Sequence, residues 1–214
     1  MAVSFSPELL NRLYAPGIAE FTSCNAPDIS ATHPEAQHWL VNHFLNSMLR
    51  AEYRNKFRQY AINQIYRAQA AFADYHEARL LTAEFLDSGR PENPASRSYF
   101  RALSRWESCF LNLQIFIDVL NKMKKDFNDD PVFKEGDSSP AQRAYTIANM
   151  VKHWGTEIYA GRHDEGDSVP LWLTNHGLKT KKAEMTFSEL AQTLSEVGTA
   201  ANQLQDPKSY VQPE

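Results

Sequence analysis

A chain of 214 residues that is 43% hydrophobic and 12% aromatic carries enough apolar surface for a real core, which excludes wholesale disorder and fits one domain of ordinary size. Its 22 Lys and Arg against 26 Asp and Glu give a formal charge of −4, so no global basic excess advertises nucleic-acid binding. With only 8 Gly and abundant Ala, Leu, Gln, Glu and Arg, the composition favours helix over strand.

The first residues, Met1 to Ser6, lack a basic stretch followed by an apolar one, so no signal peptide is expected. Ser6-Pro7-Glu8 is a helix start, a capping hydroxyl followed by Pro at the first helical position, and Ala15-Pro16-Gly17 ends that short helix. Residues 18–32 read as irregular. From Pro34 to Ser88 there is no Gly and no further Pro, so a very long helical stretch is predicted, with a break near Ser47–Ala51. Ser88-Gly89-Arg90-Pro91 terminates it. A second long helix starts at Asn93-Pro94 or Ser96, carries Phe100, Leu103, Trp106, Phe110, Leu113, Ile117 and Leu120 at helical spacing, and fades at Phe127–Pro131. Its most apolar run, Cys109–Leu120, is too short to span a bilayer.

Ser139-Pro140-Ala141-Gln142 is the clearest helix cap, and Gly155 sets the expected end of that helix at His153 or Trp154. Residues 161–168 read as a polar loop. Val169–Thr174 and Leu178–Phe187 then read as two strands around an Asn175-His176-Gly177 turn. Thr186-Phe187-Ser188-Glu189 is a second capping box, and a last helix runs to about Gln205. The expected fold is therefore mostly α. It is an antiparallel helical bundle with a long central helix hairpin and a small β-hairpin between the last two helices. Residues 1–214 form one domain, in which 1–33 are a short helix plus irregular segment and 168–187 an appended hairpin.

Two arginine rows test the helix pair. Arg50, Arg54 and Arg58 are spaced by four, as are Arg97, Arg101 and Arg105. Like charges at that spacing repel, so a facing helix should supply carboxylates. If the chain folds back near residue 92, facing numbers add to about 184. Arg97 then meets Asp87, Arg101 meets Glu84, Arg105 meets Glu77, Arg67 meets Asp118, Arg58 meets Asp126, and Arg54 meets Asp129 or Asp130.

No metal site is expected: the seven histidines form neither His-Glu-x-x-His nor paired Glu-x-x-His motifs, and Cys24 and Cys109 have no metal-ligand or disulfide spacing. No phosphate loop or nucleophile elbow is present, so no cofactor is expected either. A reducing cytoplasm is the simplest home for the chain.

One segment carries possible chemistry. Asn149 and His153 are one turn apart, with Lys152 and Arg143 nearby. A histidine beside cations at a helix end is suited to acid or base work on a phosphodiester, with the cations stabilising developing charge. The bland alternative is a helix end, with Lys152 and His153 against free carbonyls, Trp154 in the core and Gly155 as the stop. A weaker option is a small-molecule pocket using Glu107, Gln114 and Asp118 on one face.

Asn149-x-x-x-His153 near the end of a bundle helix resembles the Arg-Asn-x-x-x-His box of HEPN domains. These are compact helical bundles, often dimeric. Many act as metal-independent ribonucleases in toxin–antitoxin and phage-defence systems, and others bind only nucleotides or partners. Ala148 stands where the family has its arginine, and Arg143 lies five residues earlier. The resemblance covers about residues 139–155. It implies catalytic roles for His153, Asn149, Lys152 and Arg143 and RNA or a nucleotide as partner.

Against that stands a non-catalytic helical interaction module, a homodimer or a part of a bacterial assembly with another protein, and no membrane contact. Tyr53, Tyr60, Tyr66, Phe72 and Tyr75 exceed what one helix stripe buries, which suits a second interface. This reading comes first and the HEPN-like ribonuclease second.

Overall fold

The computed structural model describes residues 6–49, 55–88, 96–162 and 168–205. Among these residues six helices and a small sheet are arranged in the order α1 (Pro7–Leu13), a 3-10 turn (Ala36–His38), α2 (Trp39–Leu49), α3 (Asn55–Asp87), α4 (Ser96–Asp126), α5 (Pro140–Tyr159), β1 (Trp172–Leu173), β2 (Gly177–Lys179), β3 (Glu184–Thr186) and α6 (Phe187–Gln203). The expected helical break after Ser47, the turn at Gly89–Pro94 and the residues Arg50, Tyr53 and Arg54 lie at or beyond the edge of the described residues.

Helices α3 and α4 pack side by side as a hairpin. The contact face of α3 alternates small and large residues, with Ala61, Ala68, Ala71 and Ala78 between Ile65, Tyr75 and Phe85, all buried. The alanines let the helix axes approach, and the bulky Trp106, Phe110, Leu113 and Phe116 of α4 fill the space between them.

The charge register holds at two of the expected pairings. Arg105 Nε meets Glu77 at 2.9 Å, Arg101 lies 4.0 Å from Glu84, and Ser98 donates to Glu84 at 2.7 Å. Two pairings differ. Arg67 donates to Asn112 at 2.9 Å rather than to Asp118. Asn112 and Arg105 both reach the buried Asp74, at 2.9 and 3.2 Å. Asp126 is held by Lys56 at 2.5 Å and Tyr60 at 3.3 Å rather than by Arg58. The cause is helical phase. Six residues along a helix turn a side chain about 120° from its starting face, so Asn112 and Asp118 cannot both look at α3.

Helix caps form where the side chains call for them. Ser139 Oγ accepts the Gln142 N–H at 3.2 Å, while the Gln142 side chain reaches back to the Ser138 N–H at 2.6 Å. At α6 the reciprocal Thr186–Glu189 box forms as its sequence predicts. Helix α5, however, does not stop at Gly155; it runs to Tyr159. The stop is Gly161, whose φ of 66° starts a reversal: its N–H bonds the Ile158 carbonyl, and the Arg162 N–H bonds Glu157, each at 3.0 Å. Gly155 keeps helical backbone and so does not end the helix; Asn128, at φ 59°, ends α4 by the same kind of reversal.

The expected β-hairpin is a three-stranded antiparallel meander, β1-β2-β3. Leu173 pairs with Leu178, and Leu178 with Met185. The second predicted strand is split at Thr180, whose N–H bonds the Ala183 carbonyl at 2.8 Å and whose hydroxyl accepts the Lys182 and Ala183 N–H groups at 3.2 and 3.0 Å. Leu171, Leu173, Leu178 and Met185 are fully buried.

The irregular N-terminal segment is fastened across the bundle. Asn175, in the β1–β2 turn, accepts the Thr22 and Ser23 N–H groups at 2.9 and 3.1 Å and donates to Glu20 at 3.1 Å. Tyr75 donates to Pro27 at 2.8 Å, and Arg79 pairs with Asp28 at 2.6 Å. His33 sits among Trp39, Phe72 and α6, its Nε2 3.0 Å from the Ser195 carbonyl. Gly198 makes room for that ring: a Cβ there would come within 2.5 Å of it.

Candidate functional site

The four residues singled out on α5 do not converge. Arg143 is held at the start of the helix, donating to the Ser138 carbonyl at 2.5 Å and pairing with Glu189 of α6. Asn149 turns toward α4, where its carbonyl oxygen accepts from Gln114 at 2.5 Å. Ala148, in the arginine position of the resemblance, is buried in the core. Lys152 and His153 are exposed on the outer side of α5. His153 is also six residues before the last helical residue, so it does not cap the helix end.

What the structure does assemble is a polar seam between α4 and α5. Gln114 bonds Asn149, and one turn away Asp118 bonds Tyr145, whose hydroxyl is pushed up by burial and by the Asp118 charge. Each half was visible in the sequence, Gln114 and Asp118 on one helix and Asn149 on the other, but not their meeting. Farther along the same face of α4 lies Glu107, whose carboxyl is pushed up to about 7 by burial.

Glu107 has a consequence for stability. Its folded-state value lies above the unfolded one, so the folded chain holds the proton more tightly. Stability is therefore full at low pH and falls as pH rises from about 4.5 to about 7. Glu107→Gln is expected to flatten that slope and to leave the variant more stable than the parent above pH 7, by on the order of 2–3 kcal/mol. Urea titrations of both proteins at pH 5 and pH 8 check this. Equal differences at the two pH values would refute it.

The open clefts are elsewhere. One of about 640 Å³ lies between the 28–37 segment and α3, over Phe72 and Tyr75, with His76 and Arg79 on its wall. A shallower groove of about 630 Å³ runs along Arg97, Arg101, Ser104 and Arg105. Arg105 there is already engaged by Asp74 and Glu77. Among the described residues no group of three His, Cys, Asp or Glu is placed to hold a metal ion. Nor is any helix long and apolar enough to cross a membrane.

Helix α2 carries the most unusual surface. Trp39, His43 and Ser47, four apart, face inward and are buried. His43 Nε2 and Ser47 Oγ lie 3.3 Å apart, and burial holds the imidazole below its usual value. The outer side carries Val41, Phe44 and Leu45, exposed at 57%, 56% and 48%. Helix α2 thus has two apolar sides, one seated on the core through Trp39 and Leu40 and one facing solvent, whereas an ordinary surface helix has a single apolar stripe. The sequence signal was there in residues 39–49, which hold two apolar stripes and no Asp, Glu, Lys or Arg. The aromatic surplus drew attention to α3 instead, where Phe72 and Tyr75 prove to be core and Tyr66 is exposed.

Compared with models of protein families, with curated proteins and with solved structures, the chain matches none.

Proposed function

We propose that the chain is a non-catalytic helical interaction module whose contact surface is the outer face of α2. The observation that carries this reading is the second, uncovered apolar side of α2. Val41, Phe44 and Leu45 occupy adjacent positions on one side of the helix and together expose on the order of 300 Å² of apolar surface. Scattered exposed apolar residues need no explanation, but a contiguous row on an uncharged helix is a surface prepared for burial. Asn149 and Arg143 are already committed to Gln114 and Glu189, so the arrangement on α5 favours the interaction module over a ribonuclease of HEPN type.

A photo-reactive benzophenone amino acid placed at Phe44 in cells making the full chain tests the reading. Illumination is expected to give discrete adducts. The same probe at the exposed Gln192 is expected to give none. Absence of any adduct at position 44 overturns the proposal.

A further inference from the structure

We infer that the occupant of the α2 face is a second copy of this chain, with the two α2 helices packed antiparallel across a two-fold axis near Phe44. The inference rests on the interaction reading above and names its partner.

Area is the first argument. Helix α2 runs against α3, with the Leu40 N–H donating to Gln69 at 2.9 Å and His43 within the field of Arg58. Ile62 and Tyr66 share the α3 stripe that carries Gln69, at spacings of four and three, and are 39% and 47% exposed. With them the apolar patch grows to about 500 Å². A stable interface takes about 800 Å² from each partner, and homodimer interfaces are about 65% apolar, which again is about 500 Å². The patch has the size of one half of a homodimer core.

Charge is the second. A two-fold interface sets the same surface against itself, so any charge near the axis meets its own like. Helix α2 has no Asp, Glu, Lys or Arg, and its one titratable group, His43, is turned inward, where burial disfavours the charged imidazole. Among the groups facing His43 from the packed elements, the Leu204 backbone favours a charged imidazole and the Arg58 side chain disfavours it. Antiparallel crossing places each helix's N-terminus beside its mate's C-terminus, where the helix dipoles attract. Spacing of the row at i, i+3, i+4 provides the ridge that a copy of the same helix receives.

Light scattering on the purified full chain across a concentration series is expected to show a mass of twice 24.4 kDa. Phe44→Glu is expected to weaken self-association at least tenfold, with an unchanged helical circular-dichroism spectrum. Phe44→Cys is expected to form an interchain disulfide on mild oxidation, faster than the parent with its native Cys24 and Cys109. A single-chain mass up to about 100 μM overturns the inference. If the benzophenone at position 44 then still gives adducts of another mass in cells, the interaction module survives with a different partner. If it gives none, both fall. A dimer indifferent to Phe44→Glu and without the disulfide places the axis elsewhere and overturns the assignment to α2.

Discussion

Trp106→Ala is expected to destabilise the fold by about 3–5 kcal/mol, the range for truncating a large buried aromatic. Trp106 is fully buried, and its ring meets Tyr75 of α3 at 5.3 Å and Phe187 of α6 at 5.5 Å between centroids. Its indole N–H donates to the Thr82 hydroxyl at 3.0 Å, and that hydroxyl donates on to the Ala78 carbonyl at 2.7 Å. Alanine leaves a void where three helices meet and deprives a buried hydroxyl of its donor. Trp106→Phe keeps most of the packing and loses the hydrogen bond, so it is expected to cost less, on the order of 1–3 kcal/mol. Urea unfolding followed by circular dichroism separates the two. A loss below about 1 kcal/mol for the alanine variant would show that this junction does not hold the bundle together.

Gly177→Ala and Gly155→Ala are expected to act in opposite directions. A Cβ on Gly177 would lie 2.1 Å from the Met185 carbonyl oxygen and 2.7 Å from the Thr186 Cα. Both are backbone atoms of the paired strand, so no side chain can swing away. Strands β2 and β3 would have to part, exposing Leu178 and Met185 beneath them. The expected loss is about 3 kcal/mol or more, at the upper end for overpacking. Gly155 has nothing within 4 Å of its Cβ position and sits inside α5. Alanine there is expected to raise stability by about 0.5–1 kcal/mol through helix propensity. Thermal melts of the two variants against the parent check both signs, and a neutral Gly177→Ala would mean that the strands do not approach so closely.

The helix pair was legible because its signal repeats. Arg101 and Arg105 each predict a carboxylate at a definite number, and a wrong fold direction would have broken the whole series at once. Arg67 and Arg58 went astray because numbering gives height along a helix but not the angle around it. The helix end at Gly161 was hidden because a glycine's φ is set by the path of the chain around it, and Gly155 offers the same letter with helical geometry. The third strand depended on Thr180, whose hydroxyl bonds its own turn, a choice open to many threonines. At the candidate site the residue types on α5 were readable, but a side chain's partner is set by the facing helix. Asn149 belongs to Gln114 because α4 passes on that side. Helix α2 escaped notice for a related reason: two apolar stripes on one short helix do not say which is covered.

The Asn175 fastening bears on how the chain comes to be folded. Thr22 and Ser23 find their acceptor more than 150 positions later, and His33 and Trp39 bond Ser195 and Asn202 at still larger separations. Such closures are the slow part of folding, because their entropy is lost before any contact compensates. During synthesis the α3–α4 pair emerges with its contacts close together in sequence, while Thr22 and Ser23 wait for Asn175, and His33 and Trp39 for α6, to leave the ribosome. The fastenings of residues 22–39 to Asn175 and α6 are thus completed last, although this part of the chain is made early.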